Sequence, residues 1–148
     1  GTTANSVTIG AAAGLNTVTT TSTGVDTLVL SAVQTASGYY TALTGWAAGD
    51  KIDFTAVDGG NGVTEATLGA KVTLGGAASF SDYLDAATAS TGTDGELNWF
   101  QYGGNTYVTV DAAANTTFLA GTDSVIQLAG LVDLSTSTST VAGILTIV

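Results

Sequence analysis

Residues 5–30 read "NSVTIGAAAGLNTVTTTSTGVDTLVL" and hold one short pattern three times. "NSVTI" starts at Asn5, "NTVTT" at Asn16 and "DTLVL" at Asp26, with offsets of 11 and then 10 residues. Each copy opens on Asn or Asp, continues with Ser or Thr and then reaches an apolar residue. Two copies follow a glycine by two positions, in Gly14-Leu15-Asn16 and Gly24-Val25-Asp26. β-Branched residues favour extended chain and glycines favour tight turns. Strands this short, at so small a spacing, predict stacked parallel coils rather than hairpins.

Working outward, "SGYYTALTGWAAG" breaks the pattern. Tyr39, Tyr40, Leu43 and Trp46 stand at helix-like spacing, so a short helix or a packed loop is expected there. "DKIDFTAV" alternates as a strand, with Ile52 and Phe54 on one face and Lys51 and Asp53 on the other. Residues 79–89 carry the one convincing amphipathic helix. Ser79 is placed as N-cap with Asp82 three residues on, and Phe80, Tyr83, Leu84 and Ala87 form an apolar stripe. Gly103-Gly104 then splits two alternating runs, which signals a two-residue hairpin turn. Counting outward from that turn pairs Tyr102 with Asn105, Phe100 with Tyr107, Trp99 with Val108 and Leu97 with Val110. Farther on, the chain ends on the apolar residues Ile144, Leu145, Ile147 and Val148, a liability unless they complete a sheet or are read by another protein.

The expected architecture is therefore mainly β: short parallel β-roll or β-helix-like coils followed by antiparallel strands with one amphipathic helix. A single β-rich domain is expected over residues 1–148, with coils over 1–31 and a β cap over 32–148. A length of 148 residues suits one domain.

Composition closes off many functions. The chain has no Cys and no His, so it has no thiolate site, no disulfide, no imidazole base and no Ser-His-Asp triad. Twelve acids against two lysines give a formal net charge of −10. Phosphate neutralisation needs Lys or Arg, so nucleic acid is excluded as a partner. No apolar run is long enough to insert in a membrane. Oxygen-only donors in an acidic chain point to calcium. Paired carboxylates such as Asp82 with Asp85 or Asp94 with Glu96 are candidates for glycoside-type hydrolysis. Asp82 and Asp85 fall on the polar side of the expected helix, where the dipole favours acids near the N-terminus. An enzyme is not expected.

The order "TGVDTLVL", "AGDKIDF", "GELNWFQYGGNTYVTVD", "GTDSVIQLAGL" and an apolar tail resembles the C-terminal region of type I-secreted RTX proteins. It is most similar to Caulobacter-type surface-layer proteins, in which segments like "VTLGGAASFSDYLDAA", "WFQYGGNTYVTVDAAANTTF" and "LTIV" follow in this order. The resemblance covers residues 24–148. It implies export by the type I secretion apparatus through an uncleaved C-terminal signal, which suits a start, "GTTANSVTIG", without a basic leader. It also implies calcium-driven ordering outside the cell. The full RTX nonapeptide has paired glycines and an Asp per turn, and only Gly24-Val25-Asp26 approaches it.

Two functions fit. The first is a non-enzymatic structural protein, extracellular or on the cell surface, that polymerises with copies of itself as a surface layer or filament. The second is a secretion and folding module from a longer exported enzyme or adhesin. The candidate calcium ligands are Asp26, Asp50 and Asp53, then Asp111 and Asp123. The alternative for each is that its carboxylate caps a turn through its own backbone.

Overall fold

Side chains alternate across a strand, so the pattern apolar-polar-apolar turns one set inward on each short run. The computed structural model describes residues 3–11, 15–21, 23–34, 40–59, 68–89, 94–113, 115–140 and 143–148. Strands β1 (Ser6–Ile9), β2 (Asn16–Thr19), β3 (Thr27–Leu30), β4 (Thr41–Thr44) and β5 (Lys51–Asp53) alternate between two sheets. β1 pairs parallel with β3, and β3 with β5, in the first sheet; β2 pairs parallel with β4 in the second. The registers stack Val7 on Leu28 on Ile52, and Val18 on Leu43.

Later strands complete both sheets. β6 (Lys71–Val72), β7 (Glu96–Tyr102), β8 (Asn105–Asp111) and β9 (Ser124–Leu128) extend the second, which runs β2-β4-β9-β8-β7-β6. β9 lies parallel to β4, and β8 antiparallel to both β9 and β7. β10 (Thr138–Thr140) and β11 (Ile144–Thr146) extend the first as β1-β3-β5-β11-β10. Among the described residues the protein is thus mainly β, with two mixed sheets and one short helix, α1 (Phe80–Thr88).

The main core lies on the inner faces. Leu28, Leu30, Ile52, Phe54 and Leu145 from the first sheet side meet Leu43, Leu97, Trp99, Val108, Val110, Ile126 and Leu128 from the second. Gly103 and Gly104 have φ of 56° and 83°, the two successive positive values that a type I′ turn requires. That turn sets the β7–β8 register, and the pairs Tyr102–Asn105, Phe100–Tyr107, Trp99–Val108 and Leu97–Val110 all form as counted from the sequence.

The same alternation sends Phe100 and Tyr107 to the outer face of the second sheet, where α1 covers them with Leu84, Ala87, Phe80 and Tyr83. Phe100 and Tyr107 stack at 5.2 Å, and Tyr83 stacks on Phe100 at 5.2 Å. Such ring pairs contribute about 0.5–1.5 kcal/mol beyond their buried area. Ser79 caps the helix in a capping box with Asp82. At the other end, Asn98 Nδ2 donates to the Ala87 carbonyl at 2.8 Å, satisfying a carbonyl that the last turn leaves open.

Two expectations change. The "YYTALTGW" segment is a strand, β4, and not a helix or a loop; its Tyr39 lies outside the described residues. Thr41 and Leu43 both point inward because Leu43 is clamped in register between Val18 and Leu128. The apolar end is also not free. β11 sits between β5 and β10, with Leu145 and Ile147 buried, and only Val148 is left 59% exposed.

Candidate functional site

The residue just before each parallel strand of the first sheet is Asn5, Asp26 or Asp50, and the register stacks the three. The backbone N–H of Asp26 donates to Asp50 Oδ1 at 2.8 Å, and that of Ala47 to Asp50 Oδ2 at 2.8 Å. Asp26 Oδ1 accepts the backbone N–H of Asn5 at 3.0 Å and its Nδ2 at 2.8 Å. Each carboxylate thus ties its own rung to the one before it or to the preceding turn. Both side chains are buried. Hydrogen bonds from N–H groups compensate a buried carboxylate in part. Asp53, at the far end of β5, accepts from the Thr55 N–H at 2.9 Å and from its Oγ1. It caps the turn that follows β5 and stands apart from Asp26 and Asp50.

A second set lies across the second sheet. Glu96 on β7 is paired with Asp111 on β8. The β8–β9 register pairs Val110 with Ser124, so one step on it brings Asp123 opposite Asp111. Glu96, Asp111 and Asp123 therefore form a row on the outer face, with exposures of 4%, 1% and 0%. Like charges directly opposite one another destabilise a sheet. Asp123 uses both oxygens on backbone: Oδ1 accepts the Ala112 N–H at 2.9 Å and Oδ2 the Leu119 N–H at 2.7 Å. Asp111 Oδ1 accepts the Ala113 N–H at 3.1 Å, while its Oδ2 is buried with no hydrogen-bond partner. Burial pushes the Asp111 carboxyl above the usual carboxylate range, against the Ala113 and Asn115 N–H groups, and the nearby Asp123 and Asp94 charges add to the rise.

The five Asp residues named from sequence thus fall into an Asp26–Asp50 pair, a separate Asp53, and an Asp111–Asp123 pair. Sequence reasoning left Glu96 out of the second pair, although the hairpin register already placed it opposite Asp111. Among the described residues, no three acids converge closely enough to hold a metal ion as they stand.

One of the two acid pairs considered for hydrolysis, Asp82 with Asp85, has other duties. Asp82 Oδ2 accepts from the Ser79 N–H and Oγ, both at 2.8 Å, and the backbone bond, followed by the side-chain bond, lowers its pKa. Asp85 Oδ1 accepts the Phe118 N–H at 3.0 Å and tethers that loop to α1.

A groove of about 460 Å³ opens between β1 and β2, lined by Val7, Val18, Asn5, Ser6 and Thr19 among others. Its walls carry apolar and hydroxyl groups and no ionisable side chain. Among the described residues, no helix is long and apolar enough to cross a membrane. No protein-family model matches the chain, and no curated protein matches it significantly.

Proposed function

We propose that the chain is a secreted, non-enzymatic structural protein that self-assembles at or outside the cell surface and is stabilised by calcium. The observation that carries this is the burial of charge of one sign. Asp26, Asp50, Asp58, Glu96, Asp111 and Asp123 are all buried, whereas Lys51 and Lys71, the only basic residues, are exposed. Taking a carboxylate out of water costs several kcal/mol unless it is paired and hydrogen-bonded. Backbone N–H groups supply part of that compensation, and an added cation supplies the rest. Calcium takes carboxylate and carbonyl oxygens in a flexible shell. The Glu96–Asp111–Asp123 row, with its unpartnered Asp111 oxygen, is the position it fits best; Asp26 with Asp50 comes next, and Asp53 is the outlying candidate.

Two further features support the proposal. The alternation of β1 to β5 between sheets, with parallel pairing to the strand two steps on, supports reading this part as a short parallel β-roll closed by antiparallel strands and a helix. The likeness of the motif order to type I-secreted surface-layer proteins gives the same arrangement a purpose. At low calcium inside the cell, uncompensated acids leave the chain loose enough to thread through the secretion channel. At millimolar calcium outside, it orders.

The test is electron microscopy of the purified protein with and without calcium, beside circular dichroism during a calcium titration. Ordered sheets or filaments that need millimolar calcium are expected. Neither assembly nor a folding response at that concentration would sink the proposal.

A further inference from the structure

We infer that a calcium ion on the Glu96–Asp111–Asp123 row clamps helix α1 onto the second sheet; this rests on the calcium part of the proposed function and names what the ion controls. Acids in a row are commonly a solvated face. This row is buried, and one of its oxygens is stranded. Asp111 is 1% exposed, and its Oδ2 has no hydrogen-bond partner. A cation is the partner that a buried carboxylate oxygen among like charges requires. The same ion can reach the neighbouring acids, because a carboxylate oxygen that accepts one N–H keeps a second lone pair. As they stand, no three acids among the described residues converge on one point. An ion that draws the row together therefore tightens the elements that carry it.

Two of those elements lead to α1. The first is β7. Asn98 holds the last turn of α1 through the Ala87 carbonyl, and Glu96 is the next residue along β7 on that same face. The end of α1 is thus anchored one pleat, about 7 Å, from the row. A helix ends on a negative partial charge, and α1 has no basic residue in its last turn to offset it. The helix end and the bare row repel, and a cation on the row turns that repulsion into attraction. The second element is the connection from β8 to β9. It is rooted at Asp111 and Asp123, whose carboxylates hold the Ala112, Ala113 and Leu119 N–H groups. Between those roots, Phe118 packs into the cluster that contains Leu84, Ala87 and Phe100, and its N–H donates to Asp85 on α1 at 3.0 Å. Fixing the roots fixes this strap, and the strap holds the helix.

Terbium, which occupies calcium sites and emits when a nearby indole absorbs for it, reads the ion directly. Trp99 lies three residues along β7 from Glu96, about 10 Å away. Sensitised emission is expected from the parent chain and from Asp133→Asn, an exposed acid elsewhere, and is expected to be lost in Asp111→Asn. Amide exchange reads the clamp. With calcium at ten times its dissociation constant, exchange in α1 is expected to slow about tenfold in the parent and not in Asp111→Asn. Coupling is reciprocal, so loosening the helix must weaken the ion. Leu84→Ala, which thins the buried face of α1 and leaves the row intact, is expected to lower terbium affinity about fivefold or more. Terbium bound equally by Asp111→Asn overturns the inference. So does α1 exchange that ignores calcium in the parent, or full terbium affinity in Leu84→Ala. Calcium-dependent sheets or filaments with no slowing in α1 overturn this inference and leave the proposed function standing. A calcium-clamped α1 in a chain that never assembles does the reverse.

Discussion

Replacing Asp111 with Asn keeps the acceptor that takes the Ala113 N–H and removes the charge at the unpartnered oxygen. The folded-state pKa of Asp111 is raised above its ordinary 3.8, so the folded protein holds this proton more tightly than the unfolded chain does. Stability from the group is thus full below the ordinary value and is lost as pH rises through the raised one. Without calcium, Asp111→Asn is expected to be more stable than the parent at neutral pH, by about 0.2–1 kcal/mol, because the amide carries no charge opposite Glu96 and Asp123. The gap closes in acid, and urea melts across the range measure it. On the proposed calcium reading the order is expected to reverse with calcium, because the variant would lose a ligand. Ser79→Ala tests the other hydrogen-bonded acid. Losing the N-cap is expected to cost about 1 kcal/mol. It also removes the side-chain share of the stability that the lowered pKa of Asp82 gives above pH 3.8 and surrenders as pH falls through the folded value, while the larger share, from the backbone N–H of residue 79, remains. The sequence showed these roles unevenly. Ser79 and Asp82 announce a cap by spacing alone, since a cap is local. The burial of Asp26 and Asp50 depends on rungs that come from distant parts of the chain, so their residue types left calcium ligation and turn capping both open.

Between elements, close backbone approach decides which substitutions the sheets tolerate. Gly45 follows β4 with φ of +80°, and a Cβ there would stand 2.2 Å from the Thr20 carbonyl oxygen at the end of β2. Gly45→Ala is expected to cost at least about 2 kcal/mol. The loss should show first as faster amide exchange in β2, whose closing bond runs from the Thr20 N–H to the Thr44 carbonyl. Gly10, after β1, has open space around the same position, so Gly10→Ala is expected to be neutral or slightly stabilising. The hairpin and the helix were legible because each is specified by neighbours in sequence: Gly103-Gly104 sets a register, and the stripe from Phe80 to Ala87 sets a face. β4 was not, because Tyr40, Leu43 and Trp46 mimic a helical period. What makes the segment a strand is the pairing of Leu43 with Val18 and Leu128, one of them far along the chain.

For the molecule as a whole, a cation that binds only the folded state raises stability by mass action, by about 2.7 kcal/mol at a hundred times its dissociation constant. Thermal unfolding in millimolar calcium is expected to shift upward by an amount that grows with calcium concentration. Magnesium, which demands a tighter octahedral shell, is expected to do less. The two sheets themselves were only half visible beforehand. The coil repeat predicts parallel pairing, but which later strands close each sheet is a long-range matter. Here β11 has a consequence for the order of folding. It pairs with β5, setting Ile144 beside Asp53 and Leu145 beside Ile52, with β10 attached beyond it. The first sheet therefore stays unsealed along β5 until the last few residues are available. Contacts so distant in sequence are slow to form. Residues 144–148 work as a latch on β5, and a chain without them would leave that edge unshut.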